Sequence, residues 1–565
     1  MKKRVLSLLL AAVMLLGLLS GCSTTGGGTP GGTPHENSKE GYGSVTITYT
    51  EPNTLNLLSS QSNLDRDVFY LISVMLYRPY GDSVEPEMVT NMTVSDDGRT
   101  YTYTLREANY ADGTPVTAQD FVYYILNSVT AQQGNITPCL VNGAAYMAGE
   151  CGADQVGCYA PDDHTLVVEL EEDAAAFDPK MQVYPLKESY AQEKGDALGG
   201  TAADFLCSGP YILTDWTYGA SLSFEKNPDY WNAENSFQIA NVKIIHGADS
   251  NAQYNMFVTG EADILQSIND EVASKIQDTV PYMSGAIQGL QFNATGFYYD
   301  GTTFAQRDPE VTALLANKNF RMALCYALDR EAIVGAVDPK SVATNRYFDL
   351  CHGTTDAKGF AQEFPIETAP VKGDEAKAQQ YLAEAMKELN YSDVSQLPTV
   401  KYLTFENDTF RLMAETIQSE WKRVLGLENV EIELKPIQDA IMSMVYMNYD
   451  IYYQATSVEA TGMLTSLNYW VTGGALSDVM QAGAPFSSIY SNADFDALVA
   501  QANCEFDQAA RYQLIAQAEE LFINDYTFIP VMNQGGNTAI GSRVSGYVVA
   551  SLVPGLMLNN ATVID

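Results

Sequence analysis

Residues 399–434 read TVKYLTFENDTFRLMAETIQSEWKRVLGLENVEIEL. Val400 to Phe405 is a strand-like run, and Phe410, Met413, Ile417 and Trp421 follow at helical spacing. Gly426 is a helix stop. Val430, Ile432 and Leu434 then alternate with Glu431 and Glu433, as in a half-buried strand. A strand, a helix and a strand within about 35 residues form a crossover unit, so the two strands run parallel and the helix covers one face of their sheet. DEAKAQQYLAEAMKEL just before it and AARYQLIAQAEELFIND later in the chain are further amphipathic helices. The chain is therefore read as α/β. Its 565 residues exceed what one core organises, so two or three domains are expected.

Local signals place other elements. VSDDGRTYTYTLR sets Asp97-Gly98 between two extended runs, a hairpin, and Tyr101, Tyr103 and Leu105 alternate with Thr102 and Thr104 to give it one buried face. In TAQDFVYYILNSV, Thr117 precedes Asp120 by three residues, like a capping box, and Phe121, Val122, Ile125, Leu126 and Val129 share one helical face.

The start of the chain has a different character. Lys2, Lys3 and Arg4 precede an apolar run from Val5 to Leu19 that is too short to span a bilayer, which needs roughly 20 residues. Charged start, short apolar core and small residues describe a secretory signal over residues 1–21. Leu19-Ser20-Gly21-Cys22 resembles a bacterial lipobox, which implies that Cys22 becomes the lipidated first residue of the mature chain; the alternative is an ordinary signal peptide with an incidental cysteine. Residues 22–41, rich in Gly, Thr and Pro, cannot bury enough apolar surface to offset their ordering entropy and are read as a flexible tether. Gly26-x-Gly28-x-x-Gly31 within it lacks the strand and helix that a dinucleotide fingerprint requires. No second span is expected, because Val548 to Leu558 is short and broken by Pro554 and Gly555.

Charge removes several function classes. The first 21 residues carry three of the 31 Lys and Arg and none of the 70 Asp and Glu, so the remainder has a formal net charge of −42. Nucleic acid and anionic lipid surfaces both need basic stripes, which this chain lacks. An acidic surface serves solubility. Seven cysteines remain after Cys22, an odd number, with no Cys-x-x-Cys and only four histidines, so no metal and no cofactor are expected. Cys151 and Cys158 flank a short loop and either pair or, like the other five, stay free thiols. His164 and His246 adjoin strand-like runs, where a lone histidine is a structural or surface residue. No nucleophile elbow, zinc-protease, phosphate-loop or calcium-loop motif is present. The chain is read as a binding protein, not an enzyme; a glycosidase would need only two carboxylates, which counting does not exclude and no pattern supports.

Five segments then converge on one family. ADGTPVTAQDFVYY, SGPYILTDWTYGASLSFEKNPDYW, NKNFRMALCYALDREAIV, ARYQLIAQAEELFINDYTFIPV and the crossover unit resemble, in order and spacing, stretches of the family 5 solute-binding proteins of ABC importers, with oligopeptide-binding lipoproteins the nearest likeness. The resemblance implies a two-lobed periplasmic-binding-protein-like fold with an extra subdomain in the first lobe. Lobe I would comprise 42–291, with the subdomain at about 81–205, and a C-terminal return over 529–565; lobe II would be 292–528. It implies a receptor, lipid-anchored on the outer face of the cytoplasmic membrane, that captures peptides and passes them to a permease and ATPase complex; nothing in the sequence points beyond a monomer. A receptor for an oligosaccharide or another solute is the alternative. Two departures stand out: Tyr110 takes the place of a frequent Trp before Asp112-Gly113, and QATSVEATGML lacks the aspartate and proline common in the ligand-facing loop. In similar proteins a carboxylate nine residues beyond the strand's Tyr-Asp pair meets the peptide's α-ammonium. Counting from Asp450 reaches Glu459; a shifted alignment puts Thr456 there instead. Tyr453, Thr456 and Ser457 would edge the cleft, with Ser59 and Ser60 from the first lobe.

Overall fold

A computed structural model describes residues 43–49, 51–60, 63–80, 83–128, 136–172, 174, 177–246, 249–300, 302–351, 359–457, 462–474, 489–549 and 556–564. Its contacts divide into two compact units. The first holds the described residues up to Tyr282 and from Gly536 onwards; the second runs from Met283 to Gly535.

The first unit contains strand β1 (Ser44–Thr48), helix α1 (Asn63–Ile72), β2 (Val89–Val94), β3 (Thr100–Leu105), α2 (Ala118–Asn127), β4 (Cys158–Asp162), β5 (Thr165–Glu169), β6 (Tyr211–Thr217), β7 (Ser221–Lys226), β8 (Asn241–Ile245) and β9 (Ile264–Ile268), with shorter elements between. Its main sheet has the order β9-β1-β8-β7-β6. β1 is central and runs parallel to β8, Ser44 facing Asn241, and to β9, Ile47 facing Ile264. β7 and β6 continue the sheet as antiparallel strands. A separate antiparallel sheet, β2-β3-β5-β4, carries the hairpin read from the sequence, with Gly98 at φ +74 in its turn. That positive φ is open to glycine without the Cβ clash that other residues meet. Tyr103 and Leu105 are buried as the alternation requires, and Thr104 is exposed; Tyr101, at the open end of the sheet, is half-buried.

Helix α2 starts at Thr117, whose backbone N–H donates to Asp120 Oδ2 at 2.8 Å, and it buries Phe121, Val122 and Ile125. Leu126 is only half-buried and Tyr124 is fully buried, so the apolar face is rotated toward Tyr184, whose ring meets Tyr124 edge-on at 5.7 Å. Val129 lies outside the described residues. The described cysteines, Cys151 and Cys158 included, are free thiols. Cys158 is enclosed between the sheet and α2, and burial pushes its thiol up to about 12, while Cys151 Sγ contacts the Asn142 carbonyl at 3.6 Å.

The second unit contains β10 (Thr279–Phe292, which begins in the first unit), α3 (Glu375–Glu388), β11 (Val400–Phe405), α4 (Asp408–Leu425), β12 (Val430–Lys435), β13 (Ile451–Ser457), α5 (Gln508–Ile523) and β14 (Phe528–Ile540). Its strand order is β12-β11-β13-β10-β14. The crossover unit is present as read: β11 and β12 are parallel with Val400 facing Val430, and α4 lies between them in sequence. Asn407 caps α4 by accepting from Thr409 N at 2.9 Å, and Gly426 ends it at φ +70. Phe410, Met413, Ile417 and Trp421 are buried, each worth about 1.5–3 kcal/mol against an exposed state. Trp421 Nε1 finds its acceptor in the Leu324 carbonyl at 3.0 Å. The helices over 374–389 and 509–525 are α3 and α5.

The last turns of α5 carry an acid that a helical wheel places among Ile515, Ala518 and Phe522. Glu519 has no exposed surface. It accepts from Arg346 Nε at 3.0 Å and Arg346 Nη2 at 2.6 Å, and from the backbone N–H of Tyr347 at 2.8 Å and of Phe348 at 3.1 Å. The remaining Arg346 donors reach the carbonyls of Ala361 and Phe364. A bidentate guanidinium–carboxylate pair whose carboxylate also accepts from two backbone N–H groups is the arrangement in which a buried ion pair offsets its desolvation.

The chain passes between the units inside two long strands, β10 at 282/283 and β14 at 535/536. The boundaries expected at 291/292 and 528/529 fall in these same strands.

Candidate functional site

In open sheets with parallel strands, ligands bind beyond the carboxyl ends of the strands, where loops leave and backbone groups are unpaired. Each unit has such an edge. In the first unit, β1, β8 and β9 end together, and the segments leaving them begin at Tyr49, His246 and Asn269. In the second, β11 and β12 end level, Phe405 facing Lys435, and β13 runs past them to Ser457, with Glu406, Pro436 and residue 458 next in the chain.

On the first unit the segment after β1 is held rigidly. Glu51 accepts from Trp216 Nε1 at 3.0 Å and from Gly219 N at 2.8 Å, and its own N–H donates to His246 Nδ1 at 2.9 Å. His246 is thus a hydrogen-bonded structural residue. Residues 53–60 fold around Asp65 of α1, which is 1% exposed: its Oδ1 accepts from Asn53 N at 2.6 Å and its Oδ2 from Ser60 Oγ at 2.8 Å. Leu55 and Leu57 sink into a small cavity lined by Tyr110, Leu186, Leu198 and Phe205. Ser59 is exposed on this loop, whereas Ser60 is fully buried with its hydroxyl committed to Asp65.

On the second unit the relevant strand is β13, antiparallel to β10 with Ala286 facing Ser457. Its start is fixed by Asp450, which pairs with Arg307 and accepts from Lys401 N at 2.7 Å. Burial lowers the Arg307 guanidinium from its ordinary value. The expected rim position of Tyr453 is corrected. Strand alternation turns it under α4, with no exposed surface and its ring edge-on to Phe410 at 5.9 Å. Thr456, on the opposite face, is 8% exposed and shares a hydrogen bond with the Tyr347 hydroxyl, which also accepts from Trp470 Nε1 at 3.0 Å; burial pushes Tyr347 up to about 12. Ser457 is the last residue of β13. Glu459 and Cys22 lie outside the described residues. Three of the expected site residues, Ser60, Tyr453 and Thr456, have their side chains spent inside their own unit. No group of His, Cys, Asp and Glu with metal-holding geometry occurs among the described residues.

The chain's relatives agree with this architecture. It is 27% identical over 547 residues to the oligopeptide-binding protein OppA of Bacillus subtilis, covering 94% of each chain. It is 28% identical over 462 residues to the dipeptide-binding protein DppE of the same organism, covering 79% of this chain and 78% of that one. The structure of Listeria monocytogenes OppA bound to peptide superposes with a TM-score of 0.69 at 21% identity, over 93% of this chain and all of that one. The fold is accordingly the two-lobed α/β fold of these binding proteins. Residues 83–478 match the family model of bacterial extracellular solute-binding proteins, family 5 middle region, and the chain belongs to that family.

Proposed function

We propose that this protein captures oligopeptides outside the cytoplasmic membrane and delivers them, as a monomer, to an ABC permease driven by its ATPase. The similarity to an oligopeptide-binding protein over 94% of both chains carries the reading. The family transports solutes and does not transform them, which supports a non-enzymatic role. Peptide main chain pairs with strand edges and loop backbone, so side-chain sequence is read loosely. Ser59 on the first unit, and Ser457 with Glu459 after β13, are the proposed ligand-facing groups. Thermal denaturation against peptide and oligosaccharide libraries tests this. A peptide at a hundredfold excess over its Kd stabilises the folded protein by about 2.7 kcal/mol. A midpoint that rises only with sugars replaces the peptide by an oligosaccharide, and turnover of any ligand replaces the receptor by an enzyme.

The proposed attachment is a lipid on Cys22, with residues 22–41 as the leash. Among the described residues no helix is long and apolar enough to cross a membrane. One thioether would carry the anchor, so Cys22→Ser is expected to leave the protein unprocessed or released into the medium while the wild type stays with membranes. Detergent partitioning of the variant after signal removal would show a different anchor.

A further inference from the structure

The carboxyl edge of the first unit's sheet holds a second set of polar side chains, apart from the 53–60 loop. Tyr49 directly follows β1, Gln266 lies in β9, Tyr282 is the last residue of β10 before the second unit, and Tyr547 belongs to the C-terminal return. Asp67 reaches the group from α1. The Tyr49 hydroxyl donates to Asp67 Oδ2, and Gln266 Nε2 donates to the Tyr547 hydroxyl. Asp67 and Gln266 are 1% and 7% exposed, whereas the three tyrosines are half-buried. Tyr282 is seated by Gly536: a Cβ at that glycine would come within 2.4 Å of the ring, so the phenol rests against bare backbone.

Among the described residues, this group sets phenol oxygens beside a carboxylate. Tyr49, Tyr282 and Tyr547 lie within electrostatic reach of one another, and Asp67 acts on both Tyr49 and Tyr547. Burial together with the Asp67 charge holds the Tyr49 phenol well above its usual range, so it stays a neutral hydroxyl. With its O–H directed at Asp67, the neutral Tyr49 hydroxyl has only its oxygen lone pairs to offer a ligand. A carboxylate beneath phenol oxygens produces negative potential in a poorly solvated place, which repels anions and favours N–H donors that carry positive charge. Aromatic faces around it add attraction for the same kind of group.

We propose that Tyr49, Tyr282, Tyr547 and Asp67 form a cation subsite on the first unit that receives an ammonium or guanidinium group of the bound peptide. The proposal rests on the peptide reading above and narrows it to peptides with a basic group. The formal net charge of −39 favours the same ligands during encounter. The cation has two sources, a Lys or Arg side chain or the peptide's α-ammonium.

Calorimetry with four forms of one pentapeptide separates them: lysine or norleucine at the centre, each with a free or an acetylated amino end. Wild type is expected to bind one cationic form about tenfold tighter or more than its neutral counterpart, the scale of a hydrogen bond to a charged group. If the side chain is the source, the lysine-to-norleucine ratio collapses toward one in Asp67→Asn and Tyr547→Phe; if the α-ammonium is, the free-to-acetylated ratio collapses. Tyr547→Phe removes a single oxygen from a half-buried ring, so it keeps the test open should Asp67→Asn fail to fold. Both ratios unchanged in Tyr547→Phe overturn the subsite and leave the peptide reading standing. Wild type that binds none of the four forms, nor any peptide in the library, overturns both.

Discussion

Glu519→Ala is expected to cost the second unit about 3–5 kcal/mol of stability, the range for breaking a buried ion pair on one side. The substitution strands the Arg346 guanidinium, only 8% exposed on its side chain, and leaves the N–H groups of Tyr347 and Phe348 without their acceptor. A methyl group also replaces a carboxylate in a packed layer, which adds a cavity. Glu519→Gln keeps one oxygen for the two backbone donors and is expected to lose less. Replacing both partners by apolar residues of similar volume, Arg346→Met with Glu519→Leu, is expected to recover most of the loss, because no charge is then left uncompensated. Urea denaturation of the full chain measures all three. A Glu519→Ala midpoint within about 1 kcal/mol of wild type would mean that water enters and solvates Arg346, against the enclosed geometry.

Glu459→Gln is expected to weaken peptides with a free amino end by about 2–5 kcal/mol, the cost of removing one partner from a desolvated charge pair. The α-ammonium of a bound peptide is costly to leave unpaired in a water-poor site. N-acetylated peptides are then expected to bind poorly to the wild type and to lose little more in the variant, since the charge Glu459 would meet is already gone. Calorimetry with free and acetylated forms of one peptide reads this directly. Equal affinity for both forms in wild type takes Glu459 out of the site. A selective loss seen with Asp67→Asn and not with Glu459→Gln moves the amino end to the first unit.

Local chemistry along the chain was enough for the elements whose signals are short-range. The crossover over 400–434 follows from two periodicities and one glycine, and each of its parts is present: the parallel pair β11 and β12, helix α4 between them, and the stop at Gly426. The Asp97-Gly98 hairpin and the Thr117 helix start are equally local. The candidate site was only partly legible. The direction of each side chain could not be read. Tyr453 and Thr456 differ by three positions and so face opposite sides of β13; which side lies under α4 and which meets Tyr347 depends on the neighbours in the sheet. Ser60 reads as a free hydroxyl until Asp65 is folded over it. Glu519 did leave a trace, an acid at i+4 from Ile515 on an apolar stripe, yet nothing near it in sequence names Arg346 as its partner.

What the sequence by itself determined is the set of elements and their class: amphipathic helices, alternating strands, an acidic and motif-poor chain that binds. These rest on contacts between residues a few positions apart, where backbone periodicity alone sets which side chains share a face. Only the tertiary structure decided which polar groups meet. Tyr49, Asp67, Gln266, Tyr282 and Tyr547 come from five separate segments, and the Arg346–Glu519 pair joins positions far apart in the chain. Such encounters depend on strand order and register, and a buried polar group is tolerated only where folding supplies its partner, so its role becomes visible only when that partner is in place.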